Sequence, residues 1–282
     1  MWQSQGVLPA LVFLFGLIVG SFLNVCILRI PRGESVVLPA SHCPACRTAI
    51  KPYDNIPVLS WLFLRGRCRH CQERISPLYP IVELLTGVCF LASYWAFGPS
   101  ILAVKWAVFA ALLIVLTITD LRERILPDKV NFTGLGLGLL LSLFTRPVDG
   151  TALWLSNRLF AFPPPDPALS LADALLGAVA AGGLLWLVGE AYFRARGHEG
   201  MGLGDAKMMS MAGAFLGIQR ALLTILAGSL IGSVIGIAVV GLWRKGRNFE
   251  LPFGTFLGAA AMLVVFFGSQ TLAWYRSFFT AR

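Results

Sequence analysis

The sequence predicts an all-α polytopic membrane protein of about eight transmembrane helices, interrupted by one small hydrophilic insert. Its 282 residues are 57% hydrophobic and only 13% charged. Apolar runs of about 20 residues, the length that spans a bilayer core, recur along most of the chain. Soluble domains do not bury so many runs of this length, so the composition excludes a soluble globular protein.

Hydropathy windows of about 20 residues place eight helices along the chain. The predicted helices lie near residues 7–28, 80–98, 101–119, 130–145, 171–193, 206–219, 221–243 and 252–275. The sixth is the shortest, because about 14 residues at 1.5 Å each fall short of a core of roughly 30 Å. We expect that segment to be half-buried or kinked.

The first apolar run is predicted to be a retained helix, so residues 1–28 form the first membrane segment. No Lys or Arg precedes it, and it is longer than the apolar core of a signal peptide. It also lacks a cleavage site made of small residues. We therefore expect the N-terminus to lie outside.

The distribution of basic residues predicts the orientation. With alternating helices, four loops share one side of the membrane, and they carry 17 of the 23 Lys and Arg residues: 29–78, 120–129, 194–207 and 244–250. The positive-inside rule makes that side cytoplasmic. The net charge of +9 is thus a topology signal, and the expected partner is the lipid bilayer rather than a nucleic acid.

The predicted outer loop, 146–170, contains the run Pro163–Pro165. Consecutive prolines do not continue a helix and favour an extended polyproline conformation. No chemistry is assigned to this loop.

Two C-x-x-C pairs lie within the hydrophilic segment 29–78. Cys43 and Cys46 form the first pair and Cys68 and Cys71 the second, with 21 residues between the pairs. This is close to the spacing of a four-cysteine zinc ribbon, in which two thiolate pairs complete a tetrahedron around Zn²⁺. A segment of about 50 residues that is rich in Pro and Arg has little apolar material for a core, so a metal would supply its folding free energy. The sequence predicts a cytoplasmic insert with a structural zinc ion.

Two aspartates are predicted to meet at the cytoplasmic face. Asp120 ends a helix that runs inward, and Asp205, within a glycine-rich stretch, begins a helix that runs outward. The two carboxylates therefore lie at the same depth. Ionisable groups at a membrane boundary are costly and mark functional sites. Two carboxyl groups that share a proton supply the base and the acid of aspartyl proteolysis.

Other charged residues near these positions have simpler explanations. Asp128 follows a proline and precedes an apolar helix, which predicts an N-cap. Lys207 either interacts with Asp205 or marks the inner interface, and both readings remain open. Glu83 lies one turn inside the second helix, where the helix dipole favours a negative charge.

The sequence lacks the residues that two other classes of protease require. A zinc metalloprotease needs a pattern such as H-E-x-x-H, and a serine intramembrane protease needs a histidine within the bundle. His42, His70 and His198 provide neither. A transporter or channel with a metal-stabilised regulatory domain is the non-enzyme alternative, although inverted repeats and charged midplane residues, which would favour it, are not evident.

Long blocks of the chain resemble the type IV prepilin peptidases of bacteria. The similar blocks are GLIVGSFLNVCILRIPRGES, the insert from SHCPAC to VELLTG, TDLRERILPD and GMGLGDAKMMSMAGAFLG. The resemblance implies that Asp120 and Asp205 are the catalytic pair. It also implies a bacterial inner-membrane protein that cleaves the basic leader of prepilins or pseudopilins after a glycine, on the cytoplasmic side.

Family members with the cysteine insert resemble bifunctional enzymes, which also N-methylate the new terminus, usually Phe, from S-adenosylmethionine. The implied organisation is a first helix (1–28), a methyltransferase-associated zinc insert (29–78) and a peptidase domain (79–282). Residues at the root of the insert are candidates for the methyl-donor site: Gly20, Ser21, Asn24 and Arg29.

Overall fold

Helices make up most of the structure, a computed structural model that describes residues 4–159, 164–198, 200–243 and 251–280. The α-helices are α1 (Ser4–Arg29), α2 (Leu59–Phe63), α3 (Leu78–Phe97), α4 (Ile101–Glu123), α5 (Asp128–Ser142), α6 (Thr151–Leu159), α7 (Asp166–Arg196), α8 (Leu203–Trp243) and α9 (Phe253–Thr280). Within these ranges there are two isolated β-bridges and no strand. The predicted all-α class is confirmed.

Six of the described helices are long and apolar enough to cross a membrane: α1, α3, α4, α7, α8 and α9. The chain is therefore a multi-pass membrane protein. The 15 residues of α5, which correspond to the fourth predicted helix, rise only about 22 Å. The predicted basic loop 244–250 lies outside the described residues.

The chain forms two compact units, Met1–Val115 and Leu116–Arg282. In the first unit, α1 and α3 approach each other through glycines. A Cβ atom on Gly16 would lie 2.8 Å from the Cα of Gly87, and one on Gly20 would lie 2.6 Å from the Cα of Glu83. Real Cβ contacts are not that short, so glycine is what allows the two backbones to touch.

The insert between α1 and α3 contains little regular structure. It has one 3₁₀ turn, Pro52–Asn55, and the short helix α2. Hydrogen bonds tie its pieces together: the Trp61 indole donates to the Ile75 carbonyl at 3.1 Å, and the Ser60 hydroxyl donates to the Tyr53 carbonyl at 3.0 Å. Such a segment depends on local bonds rather than on a large apolar core.

In the second unit, the first part of α8 packs closely against α7. A Cβ atom on Gly177 would contact the Gly213 carbonyl oxygen, and one on Gly213 would contact the Gly177 carbonyl oxygen. Side chains at either position would push the helices apart. The glycines therefore fix the separation of α7 and α8.

The long helix α8 reverses direction at Gly217, which has φ 73° and ψ 178°. Met208 on one side of this glycine and Gly228 on the other both lie level with Leu257 and Gly258 of α9. Arg220 instead lies beside Gly268, two to three turns further along α9. Residues 203–216 and 218–243 are thus two antiparallel arms, which correspond to the sixth and seventh predicted helices.

The predicted outer loop contains the helix α6, which sequence inspection did not identify. Carboxylates hold its start: the amides of Gly150 and Ala152 donate to Asp173 at 3.2 and 2.6 Å, and the Thr151 amide donates to Asp149 at 3.1 Å. Of the predicted proline run, Pro165 is extended (φ −63°, ψ 152°) and precedes α7, whereas Pro163 lies outside the described residues.

We expect Gly217→Ala to destabilise the protein, because its backbone conformation is essentially restricted to glycine. The cost is about 1–3 kcal/mol. A Cβ atom there would also lie 2.7 Å from Asp149 Oδ2. Thermal unfolding in detergent should show a lower Tm than for the control Gly183→Ala, where a Cβ atom meets nothing within 4 Å. Equal Tm values for the two variants would contradict this account.

Candidate functional site

Asp120 lies in the last turn of α4 and is only 5% exposed. Its carboxylate oxygen Oδ2 accepts two hydrogen bonds from Thr255, in the first turn of α9. The Thr255 backbone amide donates at 2.6 Å and the Thr255 hydroxyl donates at 2.9 Å. The first amides of a helix have no acceptor within that helix, so a carboxylate at this position satisfies one of them and interacts favourably with the helix dipole.

Two glycines that lie against Leu126 leave room for this arrangement. A Cβ atom on Gly254 would lie 3.1 Å from Asp120 Oδ2 and 2.9 Å from Leu126 Cδ1. On another side of the same leucine, a Cβ atom on Gly204 would lie 3.1 Å from Leu126 Cβ. The end of α4 and the starts of α8 and α9 therefore converge around Leu126.

Asp205 lies in the first turn of α8 and is 8% exposed. Its carboxylate is near enough to Asp120 for the two groups to repel each other electrostatically. The predicted pair is thus brought together in the second unit. Two like charges in one buried site are unfavourable, which favours a state in which only one of the two carboxyl groups carries the charge.

Of the two interpretations of Lys207, the structure does not support an interaction with Asp205. Its ammonium group lies 2.8 Å from both carboxylate oxygens of Asp128, so it pairs with Asp128 and not with Asp205. The predicted N-cap role of Asp128 is wrong. Pro127 occupies the cap position of α5, and Asp128 is the first helical residue, whose carboxylate turns to Lys207 instead of to its own helix.

Sequence reasoning missed Thr255. No motif marks it, because a threonine in the first turn of a helix is ordinary. A usable signal existed in its position, since it lies near the start of a helix predicted to begin on the same side as both aspartates. Polar residues in the first turns of such helices are candidates for contact with the pair.

The second cluster lies in the first unit, within the insert. The Sγ atoms of Cys43, Cys46, Cys68 and Cys71 all lie within 4.8 Å of one another. The shortest separations between the two pairs are 3.8 Å, from Cys43 to Cys71, and 4.0 Å, from Cys46 to Cys68. All four are free thiols, and the structure therefore brings the predicted ligands together as a set that could hold a metal ion.

The two pairs are presented by matching turns. In the first turn the Cys43 amide donates to the Thr48 carbonyl at 3.0 Å, and in the second the Cys68 amide donates to the Glu73 carbonyl at 2.8 Å. Each bond joins residues five positions apart. The same backbone turn is thus used twice, which is how tight knuckles aim two thiolates each at a common centre.

The donor chemistry fits a thiophilic divalent ion. Four sulfur atoms at these separations match a tetrahedral site for Zn²⁺.

An ion pair links the second knuckle to the 3₁₀ turn. The Arg69 guanidinium donates from Nη2 to Asp54 Oδ1 at 2.6 Å and from Nε to Asp54 Oδ2 at 2.9 Å. The bond to Arg69 lowers the pKa of the Asp54 carboxyl group. Arg69 also lies over the Tyr53 ring, at 5.6 Å from its centroid. Bidentate pairs of this kind fix geometry as well as charge.

Glu83 joins the insert to α3. It is 7% exposed, and its carboxylate accepts the Val58 amide at 2.7 Å. Two candidates at the root of the insert, Gly20 and Ser21, lie against Glu83. Glu83 therefore has a definite polar role, as an acceptor for the backbone of the insert.

The other two root candidates bond to backbone carbonyls. The Asn24 amide donates to Tyr79 at 3.1 Å. The Arg29 guanidinium donates to the carbonyls of Ser35 and Pro39 at 3.0 and 2.8 Å. The Arg29 bonds hold the first residues of the insert against the end of α1, and the Asn24 bond joins α1 to the start of α3.

Two family models match the chain in succession. The bacterial Peptidase A24 N-terminal domain matches residues 14–97, and the type IV leader peptidase family matches residues 107–237. The first match includes the cysteine cluster, and the second includes Asp120 and Asp205. No solved structure matches the chain.

Curated relatives cover nearly the whole chain. A prepilin leader peptidase/N-methyltransferase of Aeromonas hydrophila is 36% identical over 295 residues, which cover 94% of this chain and 93% of that protein. A protein of the same name from Neisseria gonorrhoeae is 37% identical and covers 90% of this chain and 88% of its own length. The one from Pseudomonas putida is 31% identical, with 97% and 96% covered.

We expect the double substitution Cys43→Ser, Cys68→Ser to abolish metal binding by the insert, because it removes one thiolate from each knuckle. Elemental analysis of the purified protein should find about one zinc ion per chain in the unsubstituted protein and almost none in the variant. The control is Cys89→Ser, which replaces a thiol of α3 outside the cluster and should retain the metal. Full metal occupancy in the double variant would contradict the assignment.

Proposed function

Because the chain belongs to the type IV leader peptidase family, we propose that it is a membrane aspartyl endopeptidase that removes the basic leader of type IV prepilins and then N-methylates the new terminus. One observation carries the peptidase assignment. Two buried carboxyl groups, Asp120 and Asp205, come from the ends of different helices and lie close enough to interact.

The two aspartates supply the two proton transfers of peptide hydrolysis. One carboxylate takes a proton from water, whose oxygen attacks the scissile carbonyl carbon, while the other carboxyl group donates a proton to the carbonyl oxygen. The resulting gem-diol collapses when the C–N bond breaks, and the leaving nitrogen takes the proton that water gave up. The gem-diol returns the second proton, so both aspartates end as they began, without a covalent intermediate.

The position of the two aspartates at helix ends determines which peptide bond of the prepilin is cleaved. The basic loops favour a cytoplasmic location for this face, with the N-terminus outside. Family membership favours the bacterial inner membrane. A prepilin keeps its apolar helix in the bilayer and its basic leader in the cytoplasm. Its cleavage site, after a glycine, then arrives at the depth of Asp120 and Asp205. Pseudopilins have the same layout, and we include them as substrates.

Methyl transfer is assigned to the insert, residues 29–78, whereas residues 79–282 form the peptidase domain and residues 1–28 the first membrane helix. S-adenosylmethionine supplies the methyl group when bound. The new terminal amine must lose a proton to a side chain or to water before its lone pair accepts that group. The root residues Gly20, Ser21, Asn24 and Arg29 are the candidates to line this site.

The zinc ion has a structural role in this proposal. Cys43, Cys46, Cys68 and Cys71 would hold the ion with four thiolates, which would leave no open position for substrate or water. The ion would join two knuckles that have little apolar material between them. Loss of the ion should therefore impair methylation at least as much as cleavage.

Asp120→Asn and Asp205→Asn should each abolish prepilin cleavage and leave a folded protein, since an amide neither accepts the proton of water nor donates in place of a carboxyl group. We expect a loss of at least about a hundredfold, as for other catalytic acid and base groups. The measurement is the rate of leader release in detergent. Asp166→Asn, an exposed carboxylate at the start of α7, is the control and should retain activity. An active Asp120→Asn or Asp205→Asn enzyme would refute the catalytic pair.

Mass spectrometry of a prepilin incubated with the purified enzyme should separate the two activities. With S-adenosylmethionine, we expect loss of the leader and the addition of one methyl group. Without it, only the leader should be lost. Leader loss alone under both conditions would remove the proposed second role of the insert, and an intact prepilin beside folded enzyme would refute the peptidase.

A further inference from the structure

The two aspartates have unlike surroundings. Asp120 Oδ2 accepts the backbone amide and the hydroxyl of Thr255, at 2.6 and 2.9 Å. Both donors belong to the first turn of α9, a helix of 28 residues. Hydrogen bonds to a carboxylate and the positive end of a helix both stabilise its ionised form.

Asp205 lies in the first turn of α8 and so also meets the positive end of a helix, but it lacks the hydrogen-bond donors. Within the part of the chain that the structure describes, its carboxyl group accepts no hydrogen bond, and it is 8% exposed. The charge on Asp120 also acts against a second charge on Asp205. A carboxyl group that is buried, without donors and beside a negative charge is more stable in its protonated form.

We propose that Thr255 is a positioning residue that holds Asp120 as the ionised carboxylate, so that Asp120 takes the proton of water and Asp205 donates to the scissile carbonyl. This inference rests on the proposed peptidase function. The proton that Asp120 receives passes to the leaving nitrogen, and Asp205 recovers its proton from the gem-diol. The division of roles follows from the donors that one aspartate has and the other lacks.

The Thr255 hydroxyl is placed to favour one orientation of Asp120. It lies 2.9 Å from Asp120 Oδ2 and 3.4 Å from the Thr117 carbonyl, one turn earlier in α4. The closer acceptor takes the single hydroxyl proton. Both Thr255 donors meet the same oxygen, which leaves the other oxygen, Oδ1, as the one to receive a proton from water.

The neighbouring charged groups do not replace Thr255. Arg124, just after α4, attracts Asp120 electrostatically, and Asp205 of α8 opposes it. Lys207 of α8 is paired with Asp128 of α5. Each of these groups acts in the same way whether or not residue 255 has a hydroxyl, so a change at Thr255 reports on its own bond to Asp120.

The test compares kcat and KM for prepilin cleavage across pH in four full-length enzymes: unsubstituted, Thr255→Val, Thr255→Ser and Thr271→Val. Thr255→Val keeps the shape and the backbone amide but loses the hydroxyl. The ionised carboxylate of Asp120, which the reaction requires as the base, is then less stable. The acidic limb of the kcat profile should therefore move by about one pH unit to higher pH, the effect of losing one hydrogen bond to a charged group.

At a pH on that limb, kcat should fall about tenfold while KM changes less than about twofold. Thr255→Ser retains a hydroxyl and should restore the profile. Thr271→Val is the matched control, because Thr271 lies in the same helix and its hydroxyl donates to the Phe267 carbonyl one turn back.

Three outcomes would overturn the inference. Thr255→Val with an unchanged profile would show that the hydroxyl does not act on Asp120. Equal losses in Thr255→Val and Thr255→Ser would indicate packing alone, and a shift of the basic limb would assign Asp120 as the acid. Asp120→Asn in the same assay distinguishes failure of the proposed peptidase function from failure of this inference. If Asp120→Asn is inactive and Thr255→Val is normal, the peptidase assignment stands and only the role of Thr255 is refuted.

Discussion

The second unit depends on one electrostatic constraint, which is that two carboxyl groups are buried together at the ends of membrane helices. Burial of a charge away from water costs several kcal/mol unless donors surround it. The start of α9 supplies those donors to Asp120 through Thr255. Since the first amides of any helix need acceptors, the interaction satisfies the helix and the carboxylate at once.

Glycine makes the convergence of these helix ends possible. Gly254 allows the Asp120 carboxylate to reach the first turn of α9, and Gly204 allows the start of α8 to touch Leu126. Gly177 and Gly213 then set the separation of α7 from the first arm of α8. In a bilayer, where burial from water does not drive helix association, such close contacts between small residues are a main source of stability.

Much of this arrangement could be predicted from the order of the apolar segments. Alternating helices place Asp120 and Asp205 at one depth without any knowledge of packing, and the spacing of the cysteines predicts their cluster. Thr255 and the Lys207–Asp128 pair could not be found in the same way. Both are contacts between residues 79 or more positions apart, and they depend on which helices are neighbours, a property that hydropathy does not specify.

The reversal at Gly217 gives a physical reason for the depth of Asp205. Asp149 holds the turn by accepting the Gln219 amide at 2.8 Å. Residues 203–216, which precede the turn, rise only about 21 Å, less than the roughly 30 Å of a hydrocarbon core. If the turn lies at the outer boundary, the other end of the arm does not reach the inner one. Asp205 is then drawn inside the apolar region, where a protonated carboxyl group is more stable than a charged one. The length of one short arm thus favours a neutral carboxyl group at this depth. Because Asp120 lies at the same depth, the hydrogen bonds from Thr255 determine which of the two carries the charge.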